Sequence, residues 1–588
     1  MHVVATAGHV DHGKSTLVRA LTGMEPDRWE EERARGLTID LGFVWADVKG
    51  EDVAFVDVPG HERFIANMLA GVGPAPAVMF VVAADEGWKE QSTDHRDAID
   101  AFGIRTGIVA LTRADNASPA RRTEVRADMA ARLAGTTLAG WPVVEVSAAT
   151  GEGLEELRRE LAGVLRAAGA GDPRDRVRFW VDRSFTIKGA GTVVTGTLAA
   201  GAIRPGDVLD LDGREVTVRG IHSEDAPVDL AVPAMRAALN LRGVPPEAVS
   251  RGTALTTPGA WHSTRLIDAR RATGTALTDA PHEVVVHVGT AGVPAKVRPF
   301  GPEHARLVLS TELPLSIGDA LVLRGSGAQH ILAGVRVIDA DPPAIARRGD
   351  GRRRSAELEH LPDVSREIAR RVAVRPGDLR RLGYEVGEEP PAGSVAFSGW
   401  WIRAAQVMEW KEQLLRAVEE HEAADPLSAG LSVGAAVDKL ALPDPKLLPL
   451  AAAAAKLTVS GGVVGRGVKR DLGAAEAGVR RLEGHLGSAP FRAPEAADLR
   501  EWGLGPKELA AAERAGRVLR IGAGRDVVLL PDAPRRAAEM LAGLAQPFTA
   551  SDARKAWGTT RRVAIPLLEL LDARGVTRRV EGTARVLA

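Results

Sequence analysis

Cysteine is absent from the 588 residues of this chain, and tyrosine occurs once. The first absence excludes disulfides and thiolate metal sites, and it fits an expected cytoplasmic location. Long apolar runs are also missing. The stretches from Pro76 to Ala84 and from Leu447 to Ala455 fall well short of the ~20 residues a membrane helix needs, so no membrane partner is expected. No basic-then-apolar segment opens the sequence, and no targeting signal is expected. An excess of one charge is lacking too: 76 Lys and Arg stand against 77 Asp and Glu, a net charge of −1. Any nucleic-acid surface must therefore be local. A chain this long should divide into several domains, because single cores rarely grow beyond a few hundred residues.

What is present begins with Thr6-Ala-Gly-His-Val-Asp-His-Gly-Lys-Ser-Thr16. An apolar run, His2 to Ala5, precedes it, and the helically spaced Leu17, Val18, Ala20 and Leu21 follow. The order is strand, glycine loop, helix. Gly8 and Gly13 bracket the loop ahead of Lys14 and Ser15, the pattern of a phosphate-binding loop. Backbone N–H groups of Gly8, Asp11, His12, Gly13, Lys14, Ser15 and Thr16 would turn around an anion at the positive end of the helix. Lys14 would reach the outer phosphates, and Ser15 would ligate Mg²⁺.

Apolar strands are expected at Val53 to Val56, Val78 to Val82, Ile108 to Leu111 and Val143 to Val146, each followed by a helical stretch. This is the pattern of a doubly wound parallel sheet, whose ligands sit beyond the carboxyl ends of the strands. Asp57 closes one strand and opens Asp57-Val-Pro-Gly-His61. A carboxylate there can hold the magnesium shell through water, Gly60 can offer its N–H to a γ-phosphate, and His61 lies where an attacking water would be placed. Thr38, within Arg35 to Asp40, would complete the Mg²⁺ shell only when the γ-phosphate is present, which makes that segment a switch. Thr112-Arg-Ala-Asp115 follows another strand. Asp115 can accept two hydrogen bonds from the N1 and N2 donors of guanine, which adenine lacks, and Ser147-Ala148 would back the base.

These motifs resemble the translational GTPases of the elongation factor Tu type. The resemblance implies GTP and GDP with Mg²⁺, His61 as the catalytic residue, and Val10 and Leu37 as an apolar gate that the ribosome opens. Thr112 and Arg113 depart from the family, where Asn and Lys are usual. Arg113 can lay its stem along the base, whereas Thr112 is shorter and loses an amide contact.

From residue 172 the helical period gives way to short strands separated by turns such as Arg204-Pro-Gly-Asp207. Two antiparallel barrels are expected, at 172–258 and 259–342, after a GTP-binding domain at 1–171. Asp182, Arg183 and Arg236 resemble the residues lining the aminoacyl pocket in the selenocysteine-specific branch of the family. A selenol is anionic at neutral pH while serine on the same tRNA is neutral, so two guanidiniums oriented by a carboxylate would select the selenolate. An ordinary exposed ion pair is the competing reading.

The remainder contains a repeat: Phe491-Arg-Ala-Pro-Glu-Ala-Ala-Asp498 and Phe548-Thr-Ala-Ser-Asp-Ala-Arg-Lys555, each followed by a tryptophan, Trp502 and Trp557. Two helices and a two-stranded wing make a winged helix. Tandem α+β modules are expected at 343–405, 406–472, 473–532 and 533–588. From Arg535 to Ala588 nine arginines and one lysine face five carboxylates, a local charge of +5. Arg561, Arg562, Arg578 and Arg579 are the expected contacts to RNA. Set beside these modules, the resemblance to the selenocysteine-specific branch implies a monomeric factor that carries selenocysteinyl-tRNA to the ribosome at UGA codons marked by a selenoprotein mRNA hairpin. GTP hydrolysis would release the tRNA. The competing readings are another tRNA-carrying GTPase, such as an initiation factor 2 gamma subunit, a sulfate-activating GTPase, and a GTP-switched nucleic-acid-binding regulator that carries no tRNA.

Overall fold

A computed structural model describes residues 1–26, 38–169, 171–189, 191–325, 327, 330–345, 347, 349–467, 472–580 and 582–588. The chain forms two compact units. The first comprises Met1–Glu367 with Arg375–Glu388, and the second Ile368–Val374 with Glu389–Ala588.

The first unit opens with a six-stranded sheet of β1 (His2–Gly8), β2 (Gly42–Val48), β3 (Glu51–Asp57), β4 (Ala77–Ala83), β5 (Gly107–Thr112) and β6 (Val143–Glu145), in the order β2-β3-β1-β4-β5-β6. All pairings are parallel except β2 with β3. Every residue of β4 is buried, as a central strand covered on both faces requires, and this is why its sequence runs apolar without alternation. Helices cover both faces. Ile65, Met68, Leu69, Ile99 and Phe102 pack on one, and Leu17, Val18, Leu157 and Leu161 on the other. Strand order reverses on either side of β1, so the carboxyl ends of β1 and β3 open a crevice. Gly8 and Asp57 stand at its lip.

A seven-stranded antiparallel sheet follows, built from β7 (Arg178–Ile187), β8 (Gly191–Leu198), β9 (Val208–Leu211), β10 (Arg214–Ser223), β11 (Ala226–Val228), β12 (Met235–Arg242) and β13 (Ala254–Thr256). Its order is β11-β10-β12-β8-β7-β13-β9, with β9 also paired to β10. Next comes a closed six-stranded antiparallel barrel of β14 (His262–Gly274), β15 (Glu283–Val288), β16 (Ala291–Pro299), β17 (His304–Leu315), β18 (Ala320–Gly325) and β19 (Ile331–Asp339). The helix Asp350–Leu358 is fastened to this barrel. Its Arg354 is buried, donates to Asp268 at 2.7 Å, and pairs with Asp339.

The second unit holds winged-helix-like modules. Helices Ala496–Glu501 and Pro506–Arg514 precede the wing Leu519–Ile521 and Val527–Leu529. Helices Ala550–Ala556 and Arg561–Ala573 precede the wing Thr577–Arg579 and Arg585–Leu587. The sequence repeat has a local cause. In both copies a capping box starts the first helix, Glu495 with Asp498 and Thr549 with Asp552, which satisfies two N–H groups that the helix cannot. Phe491 stacks on Trp557 with ring centroids 5.7 Å apart, which joins the two copies in one core. Among the described residues no helix is long and apolar enough to cross a membrane.

Candidate functional site

Gly8, the last residue of β1, has φ +133°, and a Cβ there would lie 2.2 Å from the carbonyl oxygen of Val81. No side chain fits. Its N–H donates to Nδ1 of buried His95 at 2.9 Å, and the N–H of Val10 donates to Oε1 of Gln91 at 3.2 Å. Both acceptors lie on the helix Glu90–Phe102, one turn apart and so on one face. Burial, with Lys14 beside it, keeps the His95 pKa well below the usual value, so the ring stays neutral and accepts. This prop is not visible in the sequence alone. The four-residue spacing of Gln91 and His95 behind β4 was the available signal.

Lys14 opens the helix Lys14–Thr22 and donates to the carbonyls of Gly8 at 3.0 Å and His9 at 2.8 Å. Burial lowers its pKa to about 8. Ser15 Oγ donates to Asp57 Oδ2 at 2.6 Å and lies 3.1 Å from Thr38 Oγ1, while Thr6 Oγ1 donates to the other oxygen of Asp57 at 2.7 Å. Three hard oxygens thus converge from the loop, the switch segment and the end of β3, a donor set suited to Mg²⁺ beside phosphate oxygens. Gly60 approaches closely: a Cβ would sit 2.4 Å from Lys14 Nζ and 2.6 Å from the nitrogen of Val10. His12 is fully buried, and its pKa falls to about 4, from burial first and His9 second. It packs as a neutral ring.

A cavity of about 680 Å³ runs from this loop to the far end of the sheet. It is lined by Val10, Asp11, Gly13, Lys14, Ser15, Thr16, Thr38 and Gly60 at one end, and by Thr112, Arg113, Asp115, Ser147 and Ala148 at the other. The Thr112 hydroxyl lies 2.6 Å from the carbonyl of His12 and 3.2 Å from that of Val82, and so ties this end of the cavity to the loop Gly8–Thr16. Arg113 pairs with Glu86 at 2.7 Å and Asp85 at 3.3 Å, and also donates to the carbonyl of Asp11. Against the opposing effect of burial, these two acidic partners hold its guanidinium and raise its pKa.

His61 stands next to Gly60 but does not line the cavity. Its Nδ1 accepts the N–H of Arg63 at 3.2 Å. Of the expected gate, Val10 is half-buried and Leu37 lies outside the described residues.

The second constellation lies between β2 and the seven-stranded sheet. Asp182 is buried, accepts from Thr195 at 2.6 Å, and receives Arg236 at 3.0 and 3.2 Å on its two oxygens. The Arg236 guanidinium sits 3.5 Å from the Phe43 ring centroid, and that of Arg183 5.2 Å away. Stacking of this kind orients a guanidinium while leaving in-plane N–H groups to bind. A cavity of about 150 Å³ opens beside Phe43, Arg183, Thr195 and Arg236. Asp182, Arg183 and Arg236 come together as expected from their sequence, while Phe43 and Thr195 join them only through the fold.

In the second unit, Arg561 is exposed and lines a groove of about 470 Å³ with Arg554, Arg579 and Arg585, and Arg578 is also exposed. Arg562 points elsewhere. It donates to the carbonyls of Ala493 and Pro494 at 3.2 and 2.9 Å and pairs with Glu495 at 3.2 Å, fastening its helix to the preceding copy.

Family models match along the chain: elongation factor Tu GTP binding domain over residues 1–167, elongation factor Tu domain 2 over 191–256, the beta-barrel domain of selenocysteine-specific elongation factor over 266–344, and the winged helix of elongation factor SelB over 539–587. The selenocysteine-specific elongation factor of Haemophilus influenzae is 30% identical over 438 residues, 71% of this chain and 69% of that protein. This chain belongs to the selenocysteine-specific elongation factor family. The Escherichia coli member is 37% identical over 368 residues, and this chain spans 59% of its length. Similarity extends to a crystal structure of a bacterial selenocysteine-specific elongation factor, EF-Sec, with 25% identity, TM-score 0.82, and coverage of 100% of this chain and 99% of that one. The SelB of Methanococcus maripaludis with the GTP analogue GppNHp covers 58% of this chain and 79% of its own, with TM-score 0.51.

Proposed function

We propose that this chain is a monomeric, cytoplasmic, GTP-dependent elongation factor. It delivers selenocysteinyl-tRNA to the ribosome at UGA codons marked by an mRNA hairpin, and GTP hydrolysis releases the tRNA. The observation that carries this reading is the Asp182–Arg236–Arg183 constellation on Phe43. The pocket presents two oriented cations to a small anionic side chain, and it adjoins the strand that follows the switch segment. In a half-buried site, charge-assisted hydrogen bonds of about 1.5–3 kcal/mol each favour a selenolate over a neutral hydroxyl.

GTP lies along the larger cavity, its phosphates on the loop Gly8–Thr16 and its guanine on Asp115 with Ser147 and Ala148 behind it. Ser15, Thr38 and, through water, Asp57 would hold Mg²⁺, which would neutralise charge on the outer phosphates. Lys14 supplies a further cation. Because its pKa in the free chain is about 8 and a polyphosphate favours the charged form, nucleotide binding above pH 8 takes up a proton. Affinity should then fall by up to about tenfold per pH unit. Calorimetry at pH 8.5 in buffers of different ionisation enthalpy reads this, and absence of uptake removes the assignment.

On this reading the domains are those expected at 1–171, 172–258, 259–342, 343–405, 406–472, 473–532 and 533–588, although the module at 343–405 is divided between the two compact units. Pairing of β9 with both β10 and β13 supports the seven-stranded sheet as a first barrel, and four winged helices complete the chain. In the last module Arg561, with Arg578 and Arg579, meets the hairpin backbone, while Arg562 fastens the module. Arg561→Ala should weaken hairpin binding about tenfold and lower its salt slope by about 1. Arg562→Ala should instead lower the melting temperature of the unit. Filter binding across a salt series separates the two. The reading as a whole is tested by UGA decoding in a reconstituted translation system. Selenocysteine incorporation should require this chain, GTP and the hairpin together, and incorporation without the chain would overturn it.

A further inference from the structure

Three residues separate Thr38 from the start of β2, and each is held from outside its own segment. The side-chain N–H of Asn67 donates to the carbonyl of Ile39 at 2.8 Å. The Asp40 carboxylate accepts from Arg251 at 2.6 Å and lies 3.5 Å from Arg183. The carbonyl of Leu41 accepts from Arg183 at 3.0 Å.

Arg251 uses all three of its nitrogens on three different elements. Nη2 donates to Asp40, Nη1 to Oδ1 of Asn67 at 2.9 Å, and Nε to the backbone carbonyl of Asp182 at 2.9 Å. Asp182 is the carboxylate that orients Arg236. The base of Arg251 is fixed as well. The neighbouring Gly252 donates to the carbonyl of Val181 at 3.0 Å, and Val181 donates back to that of Thr253 at 2.9 Å. Asp40 is therefore tied through Arg251 to the backbone at Asp182, and the turn that carries Arg251 is itself braced against Val181. The bond to Arg251 also holds the Asp40 carboxyl below the usual range against the opposing effect of burial, so the link is ionic throughout the neutral range. Arg251, Asp40 and Asn67 line neither the nucleotide cavity nor the arginine pocket.

We propose that Arg251, through Asp40 and Asn67, is the positioning residue that makes the arginine pocket depend on the nucleotide. When Thr38 is drawn in by the outer phosphate, Ile39 and Asp40 take the positions that Asn67 and Arg251 grip, and Arg251 seats Asp182 so that Arg236 faces the cargo. With Thr38 released, Arg251 loses one anchor and Asp182 its alignment. The inference rests on the carrier reading given above. Coupling of this kind is reciprocal: cargo must tighten GTP by the factor by which GTP tightens cargo.

The test measures selenocysteinyl-tRNA affinity of the full chain with GTP and with GDP, and GTP affinity with and without cargo. Arg251→Ala and Arg251→Lys should each reduce the GTP-to-GDP affinity ratio at least tenfold, about 1.4 kcal/mol of coupling. GTP affinity without cargo should stay within about threefold of wild type. The isosteric Asp40→Asn should reduce the ratio in the same direction and add little on top of Arg251→Ala, as expected of partners in one contact. If Arg251→Ala fails to fold, Arg251→Lys and Asp40→Asn still decide the matter. A wild-type ratio near one overturns the carrier reading and the inference with it. A large wild-type ratio that the folded variants retain, or fully additive effects at Asp40 and Arg251, overturns the inference alone.

Discussion

Replacing His61 with alanine should leave GTP affinity within about twofold of wild type and cut ribosome-stimulated hydrolysis by at least a hundredfold. The affinity is expected to hold because His61 lines no part of the nucleotide cavity. The rate is expected to fall because His61 directly follows Gly60, which sits against Lys14 and Val10 at the loop end of the cavity. Positioned acid–base and water-orienting groups contribute about 10²–10⁴ in rate. In the described conformation Nδ1 accepts the N–H of Arg63, so that bond must be exchanged before the ring can reach a water. Single-turnover hydrolysis with and without ribosomes reads both quantities. A variant with normal stimulated turnover would remove the catalytic role.

The second large effect is expected at Arg236. Arg236→Lys keeps the positive charge but gives up the two contacts on Asp182 and the planar stack on Phe43, which an ammonium cannot reproduce. Discrimination between selenocysteinyl and seryl forms of one tRNA should drop by roughly a hundredfold, most of it in the selenocysteinyl affinity. Arg236→Ala should be worse, because buried Asp182 keeps Thr195 but loses its charged partner, and removing one member of a buried pair costs about 3–5 kcal/mol. Competition binding in the GTP state measures this. Unchanged discrimination in Arg236→Lys would show that charge alone, without orientation, selects the cargo.

Sequence made the nucleotide end legible because its chemistry is local. Gly8, Lys14 and Ser15 act within one loop, and Asp57 and Asp115 fall where strands stop. The props were not legible. His95 and Gln91 reach the loop from a helix some eighty residues away, and a lone histidine on an apolar face carries no sign of its partner. Thr112 read as a loss, since only the fold brings its hydroxyl to the His12 carbonyl. Arg562 read as RNA-facing because charge runs do not reveal which member turns inward. The edge strand β2 went unread, although it carries Phe43, the ring on which both pocket arginines lie.

The most direct measurement is the affinity of the GTP-loaded chain for selenocysteinyl-tRNA and for the seryl form of the same tRNA, at neutral pH and fixed salt. An anion-selecting arginine pocket predicts that the selenocysteinyl form binds at least a hundredfold more tightly. Equal affinities would contradict it.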